Sequence, residues 1–169
     1  MKSLKIIAAI ALTAAATPSF AALTCNSPTV LTNAGVTGID GCGPTNAVPT
    51  VCLFNANPSP DSVFSFHLGT GFTATSINLT NHGGASFTPQ MIIQSSCGST
   101  TDCTDTVTGA TAGGNISIPF SAANPTLAAG NTYFLIVNGA SQSSATDCGS
   151  FDLGVTGSLP VRLEKFSAE

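Results

Sequence analysis

Apolar residues in this chain alternate with polar ones instead of recurring at helical spacing. Phe64, Phe66 and Leu68 share one side of SVFSFHL, and Ile77 and Leu79 one side of TSINLT. Ile116, Ile118 and Phe120 do the same in NISIPF, as do Phe151, Leu153 and Val155 in SFDLGV. A period of two belongs to strands with one face on a core and the other in water. TYFLIVN, residues 132–138, is apolar on both sides and predicts a central strand; PQMIIQS around Met91 is similar but shorter. Asn81-His82-Gly83-Gly84, Gly113-Gly114-Asn115 and Ala129-Gly130-Asn131 punctuate these runs as turns. Seven or eight short strands are expected. They predict an all-β chain folded as an antiparallel β-sandwich, jelly-roll-like and disulfide-stapled, with the N-terminal third mostly loop.

The ends of the chain follow other rules. Lys2 and Lys5 precede an apolar run from Ile6 to Ala16, and Pro18-Ser19-Phe20-Ala21 places small residues where a leader is cleaved. Residues 1–21 are therefore expected to be a signal peptide, residues 22–157 the sandwich and residues 158–169 a C-terminal strand or tail. The apolar run has about half of the roughly 20 residues needed to cross a bilayer, so no membrane insertion is expected after cleavage.

Cleavage after Ala21 leaves 169 − 21 = 148 residues holding all six cysteines: Cys25, Cys42, Cys52, Cys97, Cys103 and Cys148. An even count behind an export signal predicts three disulfides in an oxidising compartment, secreted or at the bacterial cell surface. Closeness in sequence favours Cys97 with Cys103 and Cys42 with Cys52.

The same 148 residues carry two cations against eight carboxylates, a formal charge of 2 − 8 = −6, with no Lys or Arg from Ala22 to Val161. Nucleic acid is excluded as a partner, because neutralising phosphates takes basic side chains. Solubility comes from neutral polar groups: residues 22–160 hold 21 Thr, 16 Ser and 11 Asn. Arg162 and Lys165 lie in LPVRLEKFSAE, where Val161 and Leu163 have the spacing to bury on a sheet. An own-domain edge strand, an export signal and insertion into a neighbouring subunit are the three readings of this tail.

Catalysis has few candidates. His67 faces outward from its strand and His82 sits in a turn; both read first as solvated or hydrogen-bonded structural histidines. No G-x-S-x-G elbow is present, and bridged cysteines cannot serve as nucleophiles. Asp102 and Asp105 are the nearest carboxylate pair. Their ordinary reading is a pair of Asx-type turns, and the alternative is a calcium site needing six or more oxygens, with Asp61 and Asp147 as candidate completions.

Three segments resemble the bacterial pre-peptidase C-terminal domain: Pro60-Asp61-Ser62-Val63-Phe64-Ser65-Phe66, Asn131 to Gly139, and Gly149-Ser150-Phe151-Asp152-Leu153. The cysteine-bearing segment Cys97 to Asp105 lies where that family has an Asp-containing loop. The resemblance covers roughly residues 35–157. It implies a jelly-roll-like sandwich with binding or accessory roles beside secreted enzymes, sometimes with calcium. Asn138 stands where the family has Asp, which weakens a calcium role on that strand. The tail separately looks like the L-P-V-x-L-x-x-F endings of some exported bacterial proteins.

The expected function is a secreted, non-enzymatic surface, matrix or accessory binding module whose partner is an extracellular protein or polysaccharide. The alternatives are a self-assembling structural subunit, a carbohydrate-binding module and a small secreted hydrolase. Carbohydrate recognition has little aromatic support, since the chain has no Trp and only Tyr133.

Overall fold

The structure, a computed structural model, describes residues 24–43, 58–71, 73, 76–101, 105–109, 111–120, 127–141 and 144–159, with the backbone alone for residues 105–108. Nine strands lie in this range: β1 (Thr29–Val30), β2 (Val36–Asp40), β3 (Ser62–Leu68), β4 (Ser76–Asn81), β5 (Pro89–Gln94), β6 (Asp105–Thr108), β7 (Ile116–Pro119), β8 (Asn131–Gly139) and β9 (Ser150–Thr156). They form a five-stranded sheet ordered β1-β3-β8-β5-β6 and a four-stranded sheet ordered β2-β9-β4-β7. The chain changes sheet at every connection except β5 to β6, the crossover habit of a jelly roll. Pairing is antiparallel apart from β1, which runs parallel to β3.

The period-two residues fill the space between the sheets. Phe64, Phe66 and Leu68 meet Ile77, Leu79, Ile118, Phe151 and Leu153, all at most 2% exposed. Ring pairs tie the layers together: Phe64 meets Phe151 edge-on at 6.3 Å, and Phe87 lies 6.1 Å from Phe151 on its other side. β8 is the middle strand of five, as its two-sided apolar pattern predicts. Its other face carries Ile136, which forms a smaller cluster with Val63 and Ile92. The Thr24–Ser27 turn sits against that cluster, held by the Cys25–Cys97 disulfide. A strand covered on both faces must be apolar on both, which explains TYFLIVN and PQMIIQ alike.

The disulfides correct the expected pairing. Cys97 bonds Cys25 rather than Cys103, and Cys42 bonds Cys148 rather than Cys52. The reason for the second is register. Asp40 opposes Ser150 across the antiparallel β2–β9 pair, and Gly41 donates its N–H to Gly149 O. Two residues on, Cys42 therefore faces Cys148, at a Cα separation of 5.1 Å. Sheet pairing brings together residues far apart in sequence, so sequence proximity was the wrong guide. Cys52 and Cys103 lie outside the described residues. With two bonds fixed, three bridges in all require these two to be partners. Intact mass should sit two hydrogens per bridge below the reduced value, and alkylation without reductant should add nothing; labelled thiols would refute the count.

One further expectation changes: Asp105 opens β6, opposite Ile93, where a turn was expected. The N-terminal third contributes the short strands β1 and β2 among its described residues. β2 was hidden because VTGID is interrupted: its register shifts between Val36 and Ile39, with Gly38 at φ 68°. The expected signal peptide, residues 1–21, is outside the described range. The disulfides fit an oxidising compartment, and no helix among the described residues is long and apolar enough to cross a membrane.

Candidate functional site

On the outer face of the four-stranded sheet, the residues between the core positions are polar and joined in two groups. Asn78, in the middle of β4, accepts from Ser117 Oγ at 2.7 Å and Ser76 Oγ at 3.2 Å through Oδ1, and donates to Thr156 Oγ1 at 2.8 Å. One amide thus spans β7, β4 and β9, because cross-strand register sets Asn78 opposite Ser117 on one side and Gly154 on the other. Gly154 is the opening in this array: nothing lies within 4 Å of the Cβ that another residue would carry.

The second group centres on Asp152 of β9. Its Oδ1 accepts the backbone N–H of Gly38 at 2.7 Å, and its Oδ2 accepts from His82 Nε2 at 2.9 Å. The bulge in β2 turns the Gly38 amide toward the carboxylate, while His82, just past β4, reaches it from the opposite side. The Gly38 amide and the His82 hydrogen bond hold Asp152 below the usual carboxylate range, against a smaller opposing effect of burial. A carboxyl with a lowered folded pKa stabilises above its unfolded value of about 3.9, and that contribution is lost as pH falls through the folded value. Asp152→Asn should therefore cost stability at neutral pH, by under about 1 kcal/mol for a solvent-screened pair, and should melt with less acid dependence than the parent as pH falls below about 4. Parallel acid profiles for the two proteins would contradict this role.

Each histidine has a hydrogen-bond partner across its sheet. His67 bonds Thr132 Oγ1 across β3 and β8 at 3.2 Å, and His82 bonds Asp152. The His82–Asp152 pair was not legible in the sequence, where 70 residues separate the two; a β4–β9 register would have revealed it.

The other candidate carboxylates are spoken for differently. Asp147 accepts the N–H groups of Thr88 and Ser141, each at 2.8 Å, so both oxygens clamp loops. Gly139 lies so close to Asp147 that a Cβ there would collide with its backbone oxygen. Asp61, 1% exposed, accepts from Asn138 Nδ2 at 3.1 Å. Asp102 lies outside the described residues, and Asp105 is described by its backbone alone, so the calcium expectation for that pair falls outside them. Among the described residues no group of three or more His, Cys, Asp or Glu side chains is placed to hold a metal ion. Val161, Arg162, Leu163 and Lys165 are also outside the described range.

No protein-family model, curated protein or solved structure matches this chain. The likeness to the pre-peptidase C-terminal domain accordingly rests on the three strand segments alone.

Proposed function

We propose that this chain is an exported, non-enzymatic binding or accessory module that presents the outer face of its four-stranded sheet to an uncharged, hydrogen-bonding partner, an extracellular polysaccharide or protein. The observation that carries the reading is the Asn78 array beside an open Gly154. Serine, threonine and amide groups are fixed there by one another, so little side-chain freedom is lost when a partner docks. The face carries two carboxylates, Asp152 paired to His82 and Asp40, which accepts the Cys42 N–H, and no Lys or Arg, so charge attraction to a neutral partner contributes little, and binding should change little with salt.

Gly154 supplies the test. Its φ is outside the left-handed region and its Cβ direction is empty, so Gly154→Lys plants a long side chain in the array with the fold intact. Affinity electrophoresis against neutral polysaccharides, and native capture from the extracellular protein fraction, should show binding by the parent that Gly154→Lys abolishes at unchanged melting temperature. Binding that survives the substitution would place the site elsewhere, and a parent that binds in neither assay would sink the reading.

A further inference from the structure

We infer that Asn138 is a site of covalent modification gated by folding: its side-chain amide is lost to deamidation while β8 is unfolded, and a chain that has lost it does not return to the native sandwich. Asn138-Gly139 is the one Asn-Gly pair in the chain. In such a pair no Cβ shields the glycine nitrogen, which can reach the asparagine side-chain carbonyl. A bond forms between Gly139 N and Asn138 Cγ, the Cγ–Nδ2 bond breaks and ammonia leaves. Water then opens the resulting succinimide at either carbonyl. The product is aspartate or, with the backbone rerouted through the side chain, isoaspartate.

Packing prescribes both members of this labile pair. A Cβ at position 139 would collide with Asp147 O, so only glycine fits there. Position 138 needs a donor: Asn138 Nδ2 gives a hydrogen to Asp61 Oδ1, with Asp61 1% and Asn138 3% exposed. Asn138 Oδ1 is buried and has no hydrogen-bond partner among the described residues, so the fold uses this amide for its NH2 group. Deamidation removes that group and sets a second carboxyl against Asp61, in a buried place where like charges oppose each other. Isoaspartate adds a carbon to the backbone of β8, which pairs with β3 on one side and β5 on the other, and so breaks register with both.

The native fold closes the route to this reaction. Val137 opposes Ser62 on β3, and Asn138 opposes Gln90 on β5, so the backbone at this point is held from both sides. Ring closure requires the side chain to leave Asp61 and the link to Gly139 to rotate out of the ladder. β8 is the middle strand of its sheet, and such strands open only with the global transition. The amide is therefore kept in folded chains and consumed in unfolded ones.

The test incubates the full chain, disulfides intact, at mildly alkaline pH with and without guanidinium, and follows position 138 by peptide mass mapping and isoaspartate labelling. Amide loss should be slower in the native sample by about a hundredfold or more, as a site opened only by near-global unfolding requires. After dilution of the denatured sample, size exclusion separates refolded from misfolded chains. The refolded fraction should hold almost only the amide at position 138, and the misfolded fraction should be enriched in aspartate and isoaspartate. Asn138→Asp, made directly, should lower the melting midpoint at neutral pH or fail to fold. Equal rates of amide loss in the native and denatured samples overturn the inference. So do deamidated chains that refold in the same yield as amide chains, or an Asn138→Asp variant that melts with the parent.

Discussion

Replacing Cys42 and Cys148 together by alanine should lower the free energy of unfolding by about 2–5 kcal/mol, the range for a native bridge in a small secreted domain. The bond joins residues 106 apart and closes the β2–β9 pair at one end of the sandwich. Without it the unfolded chain regains the freedom of a long loop, and the Asp40–Ser150 end of the ladder loses its tie. At roughly 2–4 °C per kcal/mol for a domain of this size, the midpoint should fall by about 10 °C in a thermal melt. A midpoint unchanged within experimental scatter would mean that the β2–β9 ladder holds without its bridge. Replacing Cys25 and Cys97 should act on a different place, loosening the cover over Val63, Ile92 and Ile136.

Phe151→Ala should be comparably severe, at about 3–5 kcal/mol, because it removes a fully buried ring that both sheets close upon. Phe64 reaches it from the five-stranded sheet and Phe87 from the turn after β4. Phe151→Leu, which keeps most of the volume, should cost clearly less. A double-mutant cycle of Phe151→Ala with Phe64→Ala, followed by urea unfolding, should show non-additivity, since each truncation enlarges the same hole. Additive losses would place the two rings in separate packing units.

The strands that alternate cleanly were readable. SVFSFHL, TSINLT, NISIPF and SFDLGV each placed their apolar residues in the core, because a half-buried strand imposes its period on its sequence. VTGID was not, since a bulge at Gly38 breaks the period there. Pairing was the larger loss. Composition says that cysteines are bonded, but only register says that Cys42 meets Cys148, and register is a property of two strands together. The candidate site suffered in the same way. Its hydroxyls and amides were visible as a polar surface, whereas the Asn78 array and the Asp152 node exist only once β4, β7, β9 and the bulge of β2 stand side by side.

The two described disulfides interleave: Cys25 reaches past Cys42 to Cys97, and Cys42 reaches past Cys97 to Cys148. A chain entering an oxidising compartment N-terminus first presents Cys25 and Cys42 together, long before either native partner has arrived. A thiol oxidase that joins cysteines in order of emergence would therefore make the wrong bond first. Cys42 can reach its own partner only after β9 has been delivered, near the end of the sandwich. Maturation of this fold thus calls either for thiol–disulfide exchange by a shuffling isomerase or for a chain kept reduced until Cys148 is in place, and a host that oxidises early without reshuffling should accumulate Cys25–Cys42 mispaired protein.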